Sequence, residues 1–217
     1  MNFLYTLRIL GILLMLFSTA QLFPAAVAFY YDEIGLIKVF FNTLLATFLC
    51  GFLLYITNSS RKEDLRTKDG FIITVLFWTV LAIFGSFPFI FAEELEISYV
   101  DSLFESISGL TTTGATVLTG LDELPRSILF YRQLLQWLGG MGIIVLAVAV
   151  LPLLGIGGMQ LYKAETPGPL KDAKLTPRIK ETAKALWYVY LTMTILCAAF
   201  YKFFGMTTYD AICHSFS

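Results

Sequence analysis

An all-α integral membrane protein is the fold class this sequence predicts, and three observations carry the prediction. Hydrophobic residues make up 57% of the 217 and charged residues 14%, against roughly 45–50% and about 25% in soluble domains. Five apolar runs are each long enough to cross a hydrocarbon core of about 30 Å as helices. Between the third and fourth runs lies a short amphipathic segment ending in Thr111-Thr112-Thr113-Gly114, which fits neither a span nor a plain loop.

The runs are Leu4 to Phe29, Leu36 to Ile56, Phe71 to Phe91, Ile128 to Leu154 and Ala185 to Phe204. Each must be helical, because a lone spanning strand leaves its backbone unpaired in lipid. Arg8, the apolar residues after it and Ser18-Thr19-Ala20 have the look of a signal peptide with a cleavage site. The apolar stretch continues to Phe29, however, and the run is taken as a span. Charge sets the orientation. Arg8, the basic residues Arg61 to Lys68 and those from Lys163 to Lys184 fall on one side and make up eleven of the fifteen; Lys38, Arg126, Arg132 and Lys202 do not. Acidic residues Glu93, Glu94, Glu96, Asp101, Asp122 and Glu123 cluster between the third and fourth runs. Positive charge collects on the cytoplasmic side, so the N-terminus is expected there and Ser217 outside.

In the short segment, Leu103, Phe104, Ile107 and Leu110 recur at helical spacing, with Asp101 and Ser102 expected as the N-cap. This helix is too short to span, which points to a re-entrant or interfacial element. It should stop at the three β-branched threonines and at Gly114, which admits backbone angles other residues avoid. Extended backbone at membrane depth is tolerated where it is buried in protein or lines a watery cavity. A short inward helix followed by Thr/Gly backbone is the construction of a cation filter, in which carbonyl oxygens replace the ion's hydration shell. The negative end of the helix dipole assists. Residues 111–117, with Thr112, Thr113 and Gly114 at their centre, are the candidate monovalent-cation site. An ordinary polar Thr/Gly turn is the plain alternative.

A repeat favours the filter. At an offset of 109 residues Trp78 matches Trp187, Val80 matches Val189, Phe91 matches Phe200, Asp101 matches Asp210, Ser106 matches Ser215 and Ser108 matches Ser217. Leu103 and Ile212 are similar, as are Ile107 and Phe216. Internal repeats in transport proteins commonly build the pathway between them. The second copy stops one residue short of the counterpart of Gly109, so the sequence is expected to be a fragment.

Four stretches resemble the Trk-type potassium uptake subunits of the bacterial Trk/Ktr/HKT superfamily: Phe71 to Leu81 (FIITVLFWTVL); Phe104 to Thr116 (FESISGLTTTGAT); Phe130 to Gln133 running into Gln136 to Gly142 (QWLGGMG); and Gly157 to Tyr162 leading to Pro167 through Lys171. The resemblance implies an N-terminal helical hairpin, then membrane–pore–membrane repeats, each with a re-entrant pore helix and an extended filter strand. Residues 1–57 would be the hairpin and 58–70 a cytoplasmic loop. Residues 71–155 would form the first repeat, with pore helix 101–110 and filter 111–117. A second cytoplasmic loop, 156–182, would precede the second repeat, 183–217. The implied activity is potassium uptake across the bacterial inner membrane. The potassium ion (K+) would be held by backbone carbonyls of Thr112, Thr113 and Gly114, with no organic cofactor. The implied partners are a second copy in a homodimer, the lipid bilayer, and a cytoplasmic nucleotide-binding regulatory ring of the TrkA kind docked near the basic loop Lys163 to Lys184. The other three filter strands and the family's gating loop lie outside this sequence, which keeps a non-conducting scaffold or truncated piece of such a transporter as the alternative.

Other classes fare poorly. Near-neutral net charge gives no field for nucleic acid. Cys50, Cys197 and Cys213 make neither a disulfide framework nor a metal spacing. An intramembrane enzyme needs a nucleophile with its base, or a metal cluster. The spans hold no His pair, no Gly-x-Ser-x-Gly and no Asp pair, and His214 stands alone. Gly139, Gly140, Gly142, Gly155, Gly157 and Gly158 are read as helix-contact positions and Pro152 as a static kink. Arg132 is read as an outward-snorkelling anchor. Glu105 is read as either a vestibule charge or a structural hydrogen-bonding group.

Overall fold

The computed structural model describes residues 3–57, 67–150 and 171–217. All regular structure among them is helical: α1 (Phe3–Ala20), α2 (Leu22–Tyr30), α3 (Ile34–Thr57), α4 (Thr67–Phe91), α5 (Tyr99–Leu110), α6 (Arg126–Val150), α7 (Lys171–Phe203) and α8 (Thr208–Phe216), with 3₁₀ turns at Glu93–Leu95 and Leu121–Glu123. Among the described residues four stretches are long and apolar enough to cross a membrane: Thr6–Tyr30, Ile34–Thr57, Thr74–Phe91 and Lys184–Phe203. The fourth apolar run forms α6 as far as Val150; Leu151 to Leu154, with Pro152, Gly155, Gly157 and Gly158, lie outside the described residues.

Two helices differ from expectation. The first is broken rather than continuous, with a turn at Gln21 between α1 and α2. Pro24 explains the break: it donates no bond to the carbonyl of Ala20, and its ring crowds that turn. Gln21 N–H donates instead to Ser18 O at 3.1 Å. The last span, Lys184–Phe203, lies where the apolar run put it, but the helix that carries it starts earlier, since α7 begins at Lys171, inside the stretch expected as a loop.

The hairpin buries polar residues beside apolar ones and turns a large apolar stripe outward. Ser18, Gln21, Thr43 and Thr47 are buried between its helices, and the Thr43 hydroxyl donates to Gln21 Oε1 at 2.5 Å. Phe41, Leu45, Phe48, Leu49, Phe52 and Leu53 on α3 face outward. In water that stripe would be an aggregation surface; in hydrocarbon it is the contact surface, while small and polar residues make the helix contact. A Cβ on Gly11 would stand 2.5 Å from Gly51 O, and one on Gly51 would stand 2.7 Å from Gly11 O. The α1–α3 crossing therefore has no room for a side chain at either position. Gly11→Leu is expected to destabilise the protein by about 1–3 kcal/mol, read as a lower unfolding temperature in detergent. An unchanged temperature would contradict this crossing.

The described chain divides into two compact units, one up to Trp137 and one from Leu138 to Phe216. In the first, α5 is wedged between α4 and α6. Added Cβ atoms on Gly85 and Gly109 would come within 2.5 Å of Ser106 Oγ and 2.9 Å of Leu135 Cβ. In the second, the Trp187 indole N–H donates to the Met141 sulfur, and Gly140 faces the Tyr190 hydroxyl.

Candidate functional site

The site grows from the end of α5. The N-cap is Ser98, not Asp101 or Ser102, and the helix starts two residues earlier than expected, at Tyr99. Asp101 is the third helical residue and completes a reciprocal cap: its N–H donates to Ser98 Oγ at 3.2 Å, and Ser98 N–H donates back to its carboxylate at 3.3 Å, beside a 2.7 Å bond from Ser98 Oγ–H. Such a box satisfies donors that would otherwise be orphaned at the helix start. The side-chain part of this pattern recurs at α8. Asp210 N–H donates to Thr207 Oγ1 at 3.1 Å, and Thr207 Oγ1–H donates to the Asp210 carboxylate at 2.6 Å. Ser98 and Thr207 are themselves 109 residues apart, so the repeat extends to a pair that the sequence comparison overlooked.

After Leu110 the chain turns back on the helix end. Thr111 has φ −82°, Thr112 +57° and Gly114 +73°, while Thr113 between them is not left-handed. Alternating handedness turns successive N–H groups toward one concavity. Here it encloses the last carbonyls of α5: Thr112 N–H donates to Gly109 O at 2.9 Å, and Thr113 and Gly114 N–H both donate to Ser108 O, at 2.9 and 3.4 Å. Each peptide is planar and trans, so the carbonyl of one residue points opposite to the N–H of the next. The carbonyls of Thr112 and Thr113 are thereby aimed away from α5. Among the described residues the carbonyl oxygens of Thr112, Thr113 and Gly114 accept no hydrogen bond. Thr111 O accepts from Thr112 Oγ1, and Ala115 O accepts from Ser108 Oγ at 2.6 Å.

A left-handed threonine costs about 1–2 kcal/mol and needs its surroundings to hold it. The holding group is buried. Glu105 is 3% exposed and Arg132 7%. Glu105 Oε2 accepts from Arg132 Nε at 2.8 Å, and Glu105 Oε1 accepts from Thr116 Oγ1 at 2.6 Å and from Val117 N–H at 2.7 Å. Arg132 is therefore no outward anchor: it is buried and bonded to Glu105, as a buried charge requires. Glu105 takes the structural of its two expected roles. Gln136 adds the nearest side chain to Gly114, its amide atoms lying 3.8 and 4.0 Å from where a Cβ would be. Among the described residues no group of His, Cys, Asp and Glu side chains could hold a metal. What the segment offers a cation is backbone oxygen.

Residues 36–217 match the TrkH family, described as cation transport protein. The chain is 59% identical over 217 residues to the Trk system potassium uptake protein TrkH of Vibrio parahaemolyticus, covering all of this chain and 44% of that protein. It is 54% identical to TrkH of Escherichia coli K12, covering all of this chain and 45% of that one. The crystal structure of the potassium transporter TrkH from Vibrio parahaemolyticus superposes with a TM-score of 0.85 at 54% identity, over all of this chain and 42% of that one. The chain thus spans less than half the length of the curated relatives it matches.

Proposed function

Since the chain belongs to the TrkH family of cation transport proteins, we propose that its full-length gene product carries potassium across the bacterial inner membrane, with Thr112, Thr113 and Gly114 as one quarter of the selectivity filter. One observation carries the assignment: three consecutive carbonyls with no hydrogen bond among the described residues, on a segment whose N–H groups are turned back onto the helix end. Oxygens held in this way take the place of water around a dehydrated alkali ion. The C-terminal end of α5 adds negative potential nearby.

In this reading residues 1–57 form the hairpin, 71–155 the first membrane–pore–membrane repeat and 183–217 the start of the second. The N-terminus is cytoplasmic, as the eleven basic residues on one side require under the positive-inside rule. Two copies form a homodimer. A TrkA-type regulatory ring docks on the cytoplasmic side, where the basic stretch Lys163 to Lys184 lies. No step calls for catalysis.

Rubidium uptake into vesicles tests the reading. The full-length product is expected to take up rubidium in a saturable way, with potassium competing and equal sodium competing weakly. Equal competition by sodium, or uptake no greater than in empty vesicles, would overturn it. Residues 1–217 alone, with a single filter segment, are expected to give no uptake.

A further inference from the structure

We infer that Glu33, in the loop of the hairpin, is a positioning residue for the filter segment, acting through α6; the inference rests on the function proposed above. The first turn of a helix leaves four N–H groups without partners. At α6 two of these are taken by a residue more than ninety positions away: the Glu33 carboxylate accepts from Arg126 N–H at 2.7 Å and from Ser127 N–H at 3.1 Å. An anion at this end also complements the helix dipole. The contact is reinforced on both sides. The Arg126 guanidinium lies 5.6 Å from the centre of the Tyr31 ring, and Glu33 is fixed by its own N–H, which donates to Ala28 O at 2.9 Å.

A second contact sits lower on the same helix. Phe40 of α3, fully buried, packs edge-on against Tyr131 at 5.6 Å between ring centres. Tyr131 packs against Phe89 at 5.2 Å and donates its hydroxyl to Gly85 O at 2.9 Å. Tyr131 is the residue before Arg132, and Arg132 grips Glu105, which in turn holds Thr116 and Val117. The hairpin thus fixes the height of α6 at its first turn and again beside the arginine. Arg132 lies six positions after Arg126, roughly 9 Å along the helix. An axial shift of α6 would carry Arg132 with it and change the geometry of its bond to Glu105. Glu33 sets that height.

The test compares wild type, Glu33→Ala and Glu33→Gln in the full-length product in vesicles. Rubidium uptake is measured against sodium competition and normalised to inserted protein. The preference for rubidium over sodium is expected to fall roughly threefold to tenfold in Glu33→Ala, within the range of coupling through packed networks. It should fall less in Glu33→Gln, which keeps one acceptor oxygen. A wild-type preference in both variants overturns the inference. So does uptake that falls only in proportion to inserted protein. If Glu33→Ala does not insert, the same ratio in Glu33→Gln decides. Failure of the proposed function would look different, because wild type itself would then show no preference.

Discussion

Replacing Arg132 with alanine in the full-length product is expected to lower its unfolding free energy by about 3–5 kcal/mol, the range for leaving a buried charge without its partner. Glu105 would remain buried, still bonded to Thr116 and Val117 but without the cation that offsets its desolvation. A surface anchor at the same position would cost far less, because exposed charges contribute about 0–1 kcal/mol. The double variant Arg132→Met with Glu105→Gln separates loss of charge from loss of contact. It removes both charges and retains an acceptor oxygen toward Thr116 and Val117. It is expected to be more stable than Arg132→Ala alone, as replacing a buried pair by neutral groups often is. Thermal unfolding in detergent provides the measurement. With the singles Arg132→Met and Glu105→Gln added to close the cycle, costs that simply add would mean that the two side chains are not coupled.

That pair also marks the limit of what the sequence could reveal. The span regions followed from apolar run length, and α5 from the spacing of Leu103, Ile107 and Leu110, because length and period are local properties. Pro24 was in plain view, and the break at Gln21 could have been anticipated from it. Arg132 and Glu105 are 27 residues apart, and nothing local to either shows that they meet. Arg132 near the start of an apolar run reads as an anchor for the same reason that Glu105 on an amphipathic helix reads as a vestibule charge. Thr112 was beyond local reading for a different reason. A β-branched residue avoids positive φ, and only the turn of Thr113 and Gly114 N–H around Ser108 O imposes it. Glu33 was the least visible, since its partners are backbone groups more than ninety residues on.

Gly114→Ala is expected to cut the preference for rubidium over sodium by roughly tenfold while leaving insertion near wild type. The cause is conformational rather than steric. A Cβ at Gly114 would meet only the Gln136 amide, at 3.8 Å, an ordinary contact. The φ of +73° is what an L-residue resists, at a cost of about 1–2 kcal/mol. That cost shifts the balance between two backbone conformers by a factor of roughly 5–30. Relaxing φ at residue 114 rotates the peptide it shares with Thr113. The Gly114 N–H then leaves Ser108 O, and the Thr113 carbonyl opposite it swings away from the ion. Gly120→Ala supplies the control. Gly120 has φ +63° and no crowding neighbour, so it carries the same local penalty, but it lies beyond the segment whose carbonyls are free. Equal stability losses at the two positions, with selectivity lost only at Gly114, would tie selectivity to carbonyl direction. Selectivity lost equally at both would assign the effect to general loosening of the outer loop, and wild-type selectivity in Gly114→Ala would remove Gly114 from the filter.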